Sequence, residues 1–405
     1  MPADTSLLKK VIFLLLVTFQ SYSQTKTVIN DSSPPHDEIK AGAERTDLYL
    51  SMIRGRSVAV VANQTSMIRQ THLVDSLISL GIRVKKVFSP EHGFRGDADA
   101  GEKVVTYKDV KTGLPVISLY GKRNKPLPAD MKDVDVVLYD VQDVGVRFYT
   151  YISTLHYIME SCAENNKQLI VLDRPNPNGH YVDGPVLEDK FKSFVGLHPV
   201  PVVYGMTVAE YAKMINGEGW LKNKVKCDLV YIPVDNYDHN FMYELPVKPS
   251  PNLPNMCAVY LYPSLALFEG TMVSVGRGTD MPFQVIGHPT LKNGKLTFTP
   301  KSNEGAKDPI YNGQPCQGYD LRDFGNVYMK NNKLLYLFWL QGTYRDTPDK
   351  TKYFNDYFNS LAGNATLKQQ IIDGVSEEDI RKSWEEGLKK FKATRKKYLL
   401  YKDFN

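Results

Sequence analysis

Cysteine is scarce in this chain, and the four that occur, Cys162, Cys227, Cys257 and Cys316, are far apart with no Cys-x-x-Cys pair. That spacing excludes the common zinc-binding and thioredoxin-like patterns. No cysteine lies in or just after the apolar N-terminal stretch, so lipid attachment there is excluded. Charge of one sign is missing too: 50 Lys and Arg against 45 Asp and Glu leave a formal +5 over 405 residues. No basic stripe interleaved with aromatics appears, and nucleic acid is not an expected partner. Nucleotide signatures are absent, since neither Gly-x-x-x-x-Gly-Lys-Ser/Thr nor a Gly-x-Gly-x-x-Gly after the first strand occurs. Gly-x-Ser-x-Gly is lacking, and His92 has no helical His partner, which removes the serine-hydrolase elbow and the zinc-peptidase helix. A site without cofactor or metal is the expectation.

The apolar run Val11 to Phe19 follows Lys9 and Lys10 and precedes Ser21-Tyr22-Ser23. This reads as a cleaved signal peptide over residues 1–23, too short for a comfortable membrane span. The protein is therefore expected to be exported, periplasmic or extracellular, with no stable span after cleavage. Residues 24–45 are mostly polar, with Pro34-Pro35, and read as a linker. The remaining length suits two domains, and the prolines and asparagines from Leu245 to Asn255 place the junction near 245/246.

Apolar strands at Ser57 to Ala62, Arg83 to Phe88, Val134 to Tyr139 and Gln168 to Leu172 alternate with helical patterns at Thr71 to Leu80 and Tyr149 to Asn165. Such alternation implies an α/β fold with a parallel sheet, which sets all four strand-end loops on one edge. Those loops carry Asn63, then Glu91, His92 and Arg95 in Ser-Pro-Glu-His-Gly-Phe-Arg-Gly, then Asp140, Gln142 and Arg147, then Asp173, Arg174 and Asn176. Open α/β sheets bind ligands at that edge. Further on, Thr207 with Glu210 reads as a helix N-cap, Cys227 to Val234 as another strand, and Ser376 to Lys397 as a charged, capped helix. The glycine-rich stretch from Phe268 to Asp280 offers Glu269, Thr271 and Arg277. Tyr149 and Asn252 complete the substrate-binding candidates.

Carboxylates and arginines in one cleft fit glycoside hydrolysis, which needs a general acid and usually a second carboxylate. Glu91 is the candidate acid with His92 beside it, and Asp140, Asp173 and Glu269 compete for the second role. The arginines point to a substrate carrying its own carboxylate, because the guanidinium fork pairs with one in two places. Metal-assisted hydrolysis through Glu91, His92, Asp97, Asp140 and Asp173 is the runner-up, although their spacing matches no metal motif.

Four motifs in order, Ser-Pro-Glu-His-Gly-Phe-Arg-Gly at 89–96, Tyr-Asp-Val-Gln-Asp-Val-Gly-Val-Arg-Phe-Tyr-Thr-Tyr at 139–151, Leu-Asp-Arg-Pro-Asn-Pro at 172–177 and Phe-Glu-Gly-Thr at 268–271, resemble the NamZ-like exo-β-N-acetylmuramidases. The similarity runs from about Thr46 onward. It implies a Rossmann-like domain over 46–245, a smaller α/β domain over 246–405, and an active-site cleft between them. It also implies release of terminal β-linked N-acetylmuramic acid from the non-reducing ends of peptidoglycan fragments, with peptidoglycan-derived saccharides or muropeptides as partners and Glu91 as the catalytic glutamate. The lactyl carboxylate of that sugar agrees with the arginine reading. Met272 and Val275 stand where the family pattern has Asn and Glu. A non-catalytic muropeptide-binding protein of the same fold is the alternative this departure raises.

Overall fold

A computed structural model describes residues 38–96 and 106–404. The expected signal peptide, most of the expected linker, and Asp97 lie outside the described residues. Seven strands form the main sheet: β1 (Ser57–Ala62), β4 (Arg83–Ser89), β5 (Tyr107–Lys108), β6 (Pro115–Ser118), β7 (Val136–Asp140), β8 (Gln168–Leu172) and β9 (Leu229–Ile232). Their order is β5-β6-β4-β1-β7-β8-β9, with only β5 antiparallel to its neighbour. Without that edge strand this is the Rossmann order, whose switch point lies between β1 and β7. A two-stranded hairpin, β2 (Met67–Ile68) and β3 (Thr71–His72), sits between β1 and the first crossover helix, Leu73–Ser79. Here the expected helix at Thr71 begins two residues later, because Thr71 and His72 pair with Ile68 and Met67.

The central strands are buried on both faces, as their continuous apolar sequences require. Side chains alternate between two cores. Val58, Val60, Val136, Leu138 and Ile170 join one with Tyr49, Ile53 and Leu77 from the helices Thr46–Ile53 and Leu73–Ser79. Ala59, Val61, Val137, Tyr139 and Leu169 join the other, with Leu155 and Met159 of the helix Tyr151–Glu164 and Tyr211 and Met214 of Val208–Glu218. A one-residue slip would exchange these faces, so the pattern holds the register.

Residues 39–45, expected as the end of a linker, are instead part of the packed body. Ala41 and Ala43 are buried, Gly42 N–H donates to Asp173 O at 2.7 Å, and a Cβ on Gly42 would sit 2.4 Å from Ile232 O. Only small residues fit against those strand ends.

The later half adds the buried helix Met256–Leu265, capped where Asn255 Oδ1 accepts from Ala258 N–H at 3.0 Å, and a three-stranded antiparallel sheet ordered β10-β12-β11. Its strands are β10 (Val285–His288), β11 (Leu296–Phe298) and β12 (Cys316–Asp320). The helix Glu377–Arg395 is capped by Ser376 and buries Ile380, Trp384 and Phe391 in the same core as Ala59 and Val61. The chain then returns to the main sheet, where Tyr401 Oη donates to Asp173 Oδ2 at 2.6 Å and Leu400 N–H to Glu210 Oε1 at 2.8 Å. All four cysteines are buried and unpaired by disulfide. Among the described residues no helix is long and apolar enough to cross a membrane.

Candidate active site

The strand β4 ends at Ser89, and Gly93 N–H closes a turn on Pro90 O at 3.2 Å. His92 (φ 71°) and Gly93 (φ 80°) then take left-handed backbone in succession. Glycine does so freely, whereas histidine incurs about 1 kcal/mol or more. The reversal carries Glu91 and His92 to the wall of a cavity of about 690 Å³. Thr150 Oγ1, at the start of the helix Tyr151–Glu164, donates to Glu91 Oε2 at 2.6 Å. Tyr120, just past β6, also hydrogen-bonds the Glu91 carboxylate; burial first, then that carboxylate, holds its phenol well above its ordinary ionisation range. Tyr151 Oη reaches Glu91 O at 3.4 Å.

The opposite wall grows from the helix Met256–Leu265, which tightens into a 3₁₀ turn over Ala266–Gly270 and delivers Glu269. Arg277 grips that carboxylate with Nε and Nη2 at 3.0 and 2.8 Å from Oε1, its guanidinium 5.1 Å from the Phe283 ring. Gly270 is required here, since a Cβ would lie 2.4 Å from Phe358 Cα. Thr271 Oγ1 donates to Phe268 O at 2.8 Å and accepts from Val273 N–H at 3.0 Å. Asn252 Nδ2 donates to Gly305 O at 2.5 Å, tying the cavity floor to the loop that bears Lys307 and Asp308. Tyr357 and Tyr262 stand between the walls. Burial raises both phenols most, and the charges of Glu269 and Glu91 add to it, so both carboxylates face one space.

Of the residues singled out from sequence, Glu91, His92, Tyr149, Asn252, Glu269, Thr271 and Arg277 line this cavity. The rest lie outside the lining of this cavity and are engaged by partners within the chain. Asp140 and Arg174 form a buried two-point pair at 2.6 and 2.9 Å. Asp173 accepts from Ala209 N–H at 2.9 Å, at the start of the helix Val208–Glu218, and from Tyr401; burial pushes it up to about 6. Arg147 is fully buried and donates to four carbonyls, of Pro185, Val200, Leu361 and Ala362, at 2.8–2.9 Å; burial brings its guanidinium down to about 9. Arg95 binds Asp109 at 2.9 and 3.2 Å and stacks on Phe94. Asn63 donates to Tyr151 Oη at 2.9 Å, Gln142 to Asp143 O and Pro175 O at 2.9 and 2.7 Å, and Asn176 to Met206 O at 2.8 Å.

At the ends of β1 and β7, where a Rossmann fold normally binds a dinucleotide, Asn63, Asp140 and Gln142 are engaged by these internal partners. Ser66 Oγ donates to Asp140 O, and Gln142 N–H donates to Thr65 Oγ1 at 3.0 Å. Asp140, Asp173, Arg174 and Asn176 have the sequence signature of a site because buried polar groups at strand ends must find partners. Tyr120, Thr150, Tyr262, Lys307 and Tyr357 line the cavity without having been singled out. Thr150 was within reach, lying inside a quoted motif; Tyr120 follows a strand too short to stand out. Among the described residues no group of three His, Cys, Asp or Glu is placed to hold a metal. Val275 forms part of the cavity wall, whereas Met272 holds the frame through Tyr353 O and Tyr311 Oη at 2.8 and 2.7 Å.

Two family models, described as the N-terminal and C-terminal parts of exo-beta-N-acetylmuramidase NamZ, match residues 58–257 and 260–401. The chain belongs to the NamZ family. It is 38% identical over 376 residues to the peptidoglycan beta-N-acetylmuramidase NamZ of Bacillus subtilis, an alignment covering 87% of this chain and 89% of that protein. Two crystal structures of DUF1343 family proteins from Bacteroides fragilis share the fold, at TM-scores of 0.84 and 0.77 with 43% and 28% identity. Each alignment covers 90% of this chain and 99% of the solved one. As a NamZ-family member the protein is a glycoside hydrolase, and the expected α/β fold with a mostly parallel main sheet is the one observed, beside a smaller three-stranded sheet.

Proposed function

We propose that this NamZ-family protein removes terminal β-linked N-acetylmuramic acid from the non-reducing ends of peptidoglycan fragments, with Glu91 as the general acid. The observation that carries the assignment is Glu91 itself, held by hydroxyls on one wall of the cavity while Glu269 faces the same space from the other. Glu91 delivers its proton to the glycosidic oxygen, and the bond from that oxygen to C1 breaks with the electron pair leaving on the oxygen. Positive charge develops at C1 and the ring oxygen until a water oxygen bonds to C1, directly or after a covalent intermediate, and gives its proton to one of the two carboxylates. Glu269, oriented by Arg277, is the second carboxylate that meets this charge, while His92 and Asn252 line the sugar subsite. The lactyl carboxylate is held by Arg277 and Lys307, the Arg and Lys side chains on the cavity wall among the described residues. Lys9, Lys10 and the apolar run after them support export to the compartment that holds the substrate.

A chromogenic β-N-acetylmuramide and the matching β-N-acetylglucosaminide, offered side by side, test the specificity. Release from the muramide alone is expected, and Lys307→Met should raise its KM. Equal release from both sugars would overturn the role given to the lactyl group. Release from neither, with measurable muropeptide binding, would favour a binding protein.

A further inference from the structure

We propose that Tyr120 and Thr150 are positioning residues that clamp the Glu91 carboxylate for proton delivery, an inference that rests on Glu91 being the acid. Thr150 follows the loop after β7, and Tyr120 follows β6, so the two hydroxyls reach Glu91 from strands on either side of the β4–β1 pair. Each is fixed by its own surroundings. Thr150 is buried at the head of the helix Tyr151–Glu164. Tyr120 N–H donates to Ser118 Oγ at 3.2 Å, Ser118 Oγ donates back to Tyr120 O at 3.2 Å, and the ring leans on Phe194 with centroids 5.9 Å apart.

A glutamate on a reversed loop has several rotamers open to it, and a bond of 2.6 Å to Oε2 selects one. The clamp also acts during the step. As the proton passes from Glu91 to the glycosidic oxygen, negative charge appears on the carboxylate, and hydrogen bonds to an ionised acceptor are roughly twice as strong as neutral ones. Two hydroxyls already aimed there stabilise the transition state more than the bound substrate, which is the difference that accelerates a reaction.

The test compares Tyr120→Phe, Thr150→Val and Thr150→Ser, alone and combined with Glu91→Gln, in the full chain. Two muramides serve as substrates, one with an N-acetylglucosamine leaving group that must be protonated, one with 4-nitrophenolate that needs little help. Tyr120→Phe and Thr150→Val should each lower kcat about 10- to 100-fold on the sugar leaving group, with KM within about threefold and a smaller loss on the nitrophenyl substrate. Thr150→Ser keeps the hydroxyl and should restore activity, and neither removal should cost anything further in the Glu91→Gln background. Wild-type turnover in both variants, beside an inactive Glu91→Gln, would refute the clamp alone. Equal losses on both substrates that add to Glu91→Gln would reduce the pair to ordinary packing. Full activity in Glu91→Gln would remove the acid assignment, and the clamp with it.

Discussion

Asp143→Asn should change how the stability of this protein depends on pH. Asp143 is buried, its Oδ2 accepts from Gly145 N–H at 2.7 Å and from the Tyr204 phenol, and its Oδ1 has no partner. Burial pushes the carboxyl from its ordinary 3.8 up to about 6, against the pull of those two donors and of the Val144 N–H. The folded state therefore keeps a proton that the unfolded chain releases. Its stabilising effect is fully present below pH 3.8 and is lost as pH rises through about 6. At 1.36 kcal/mol per pKa unit, the loss comes to about 3 kcal/mol by pH 8. With about 2.1 cal/mol/K of unfolding entropy per residue over roughly 360 residues, that is a fall in Tm of about 4 °C. Asparagine keeps the shape and cannot ionise. Its carbonyl can accept the same two bonds, while its amide at the former Oδ1 costs about 1–3 kcal/mol at every pH. That cost shifts the variant's Tm alike at every pH, and its change between pH 4 and 8 should be smaller than the wild type's by about 3 °C, because part of the loss already falls below pH 4. Asp173, also raised to about 6, is present in both proteins and cancels in the comparison. Parallel melting curves across that range would show that Asp143 carries no proton in the folded state.

Arg147→Met should cost several kcal/mol, because four buried carbonyls lose their donor at about 1–3 kcal/mol each, offset in part by removing a buried charge. Thermal melting checks this, and a normal Tm with activity lost only toward the muramide would return Arg147 to the substrate site. Gly270→Ala should destabilise by about 1–3 kcal/mol through its clash with Phe358 and displace Glu269, so both Tm and kcat should fall; an unchanged pair of values would contradict the close approach.

The main sheet was legible because central parallel strands are apolar on both faces: Ser57–Ala62 and Gln168–Leu172 were read with their observed bounds. The strand Pro115–Ser118 was missed, being four residues long and flanked by polar turns, and Tyr120 was missed with it. Glu91 was legible from its glycine-bounded loop. Asp140, Arg147 and Arg174 were harder to judge, since a charged residue at a strand end looks the same whether it meets a substrate or a carbonyl across the chain. Arg147 shows the limit: two of its acceptors, Leu361 and Ala362, lie more than two hundred positions away. The facing wall, from Glu269 to Tyr357, depends on contacts of the same kind.

The most direct measurement is release of N-acetylmuramic acid from a muramyl-terminated β-1,4 disaccharide by the wild type and by Glu91→Gln, with a glucosaminyl-terminated disaccharide as control. The wild type should cleave only the muramyl-terminated substrate, and Glu91→Gln should lose about 10²- to 10⁴-fold in kcat with its Tm unchanged. Turnover by Glu91→Gln within tenfold of the wild type would contradict the assignment of Glu91 as the acid.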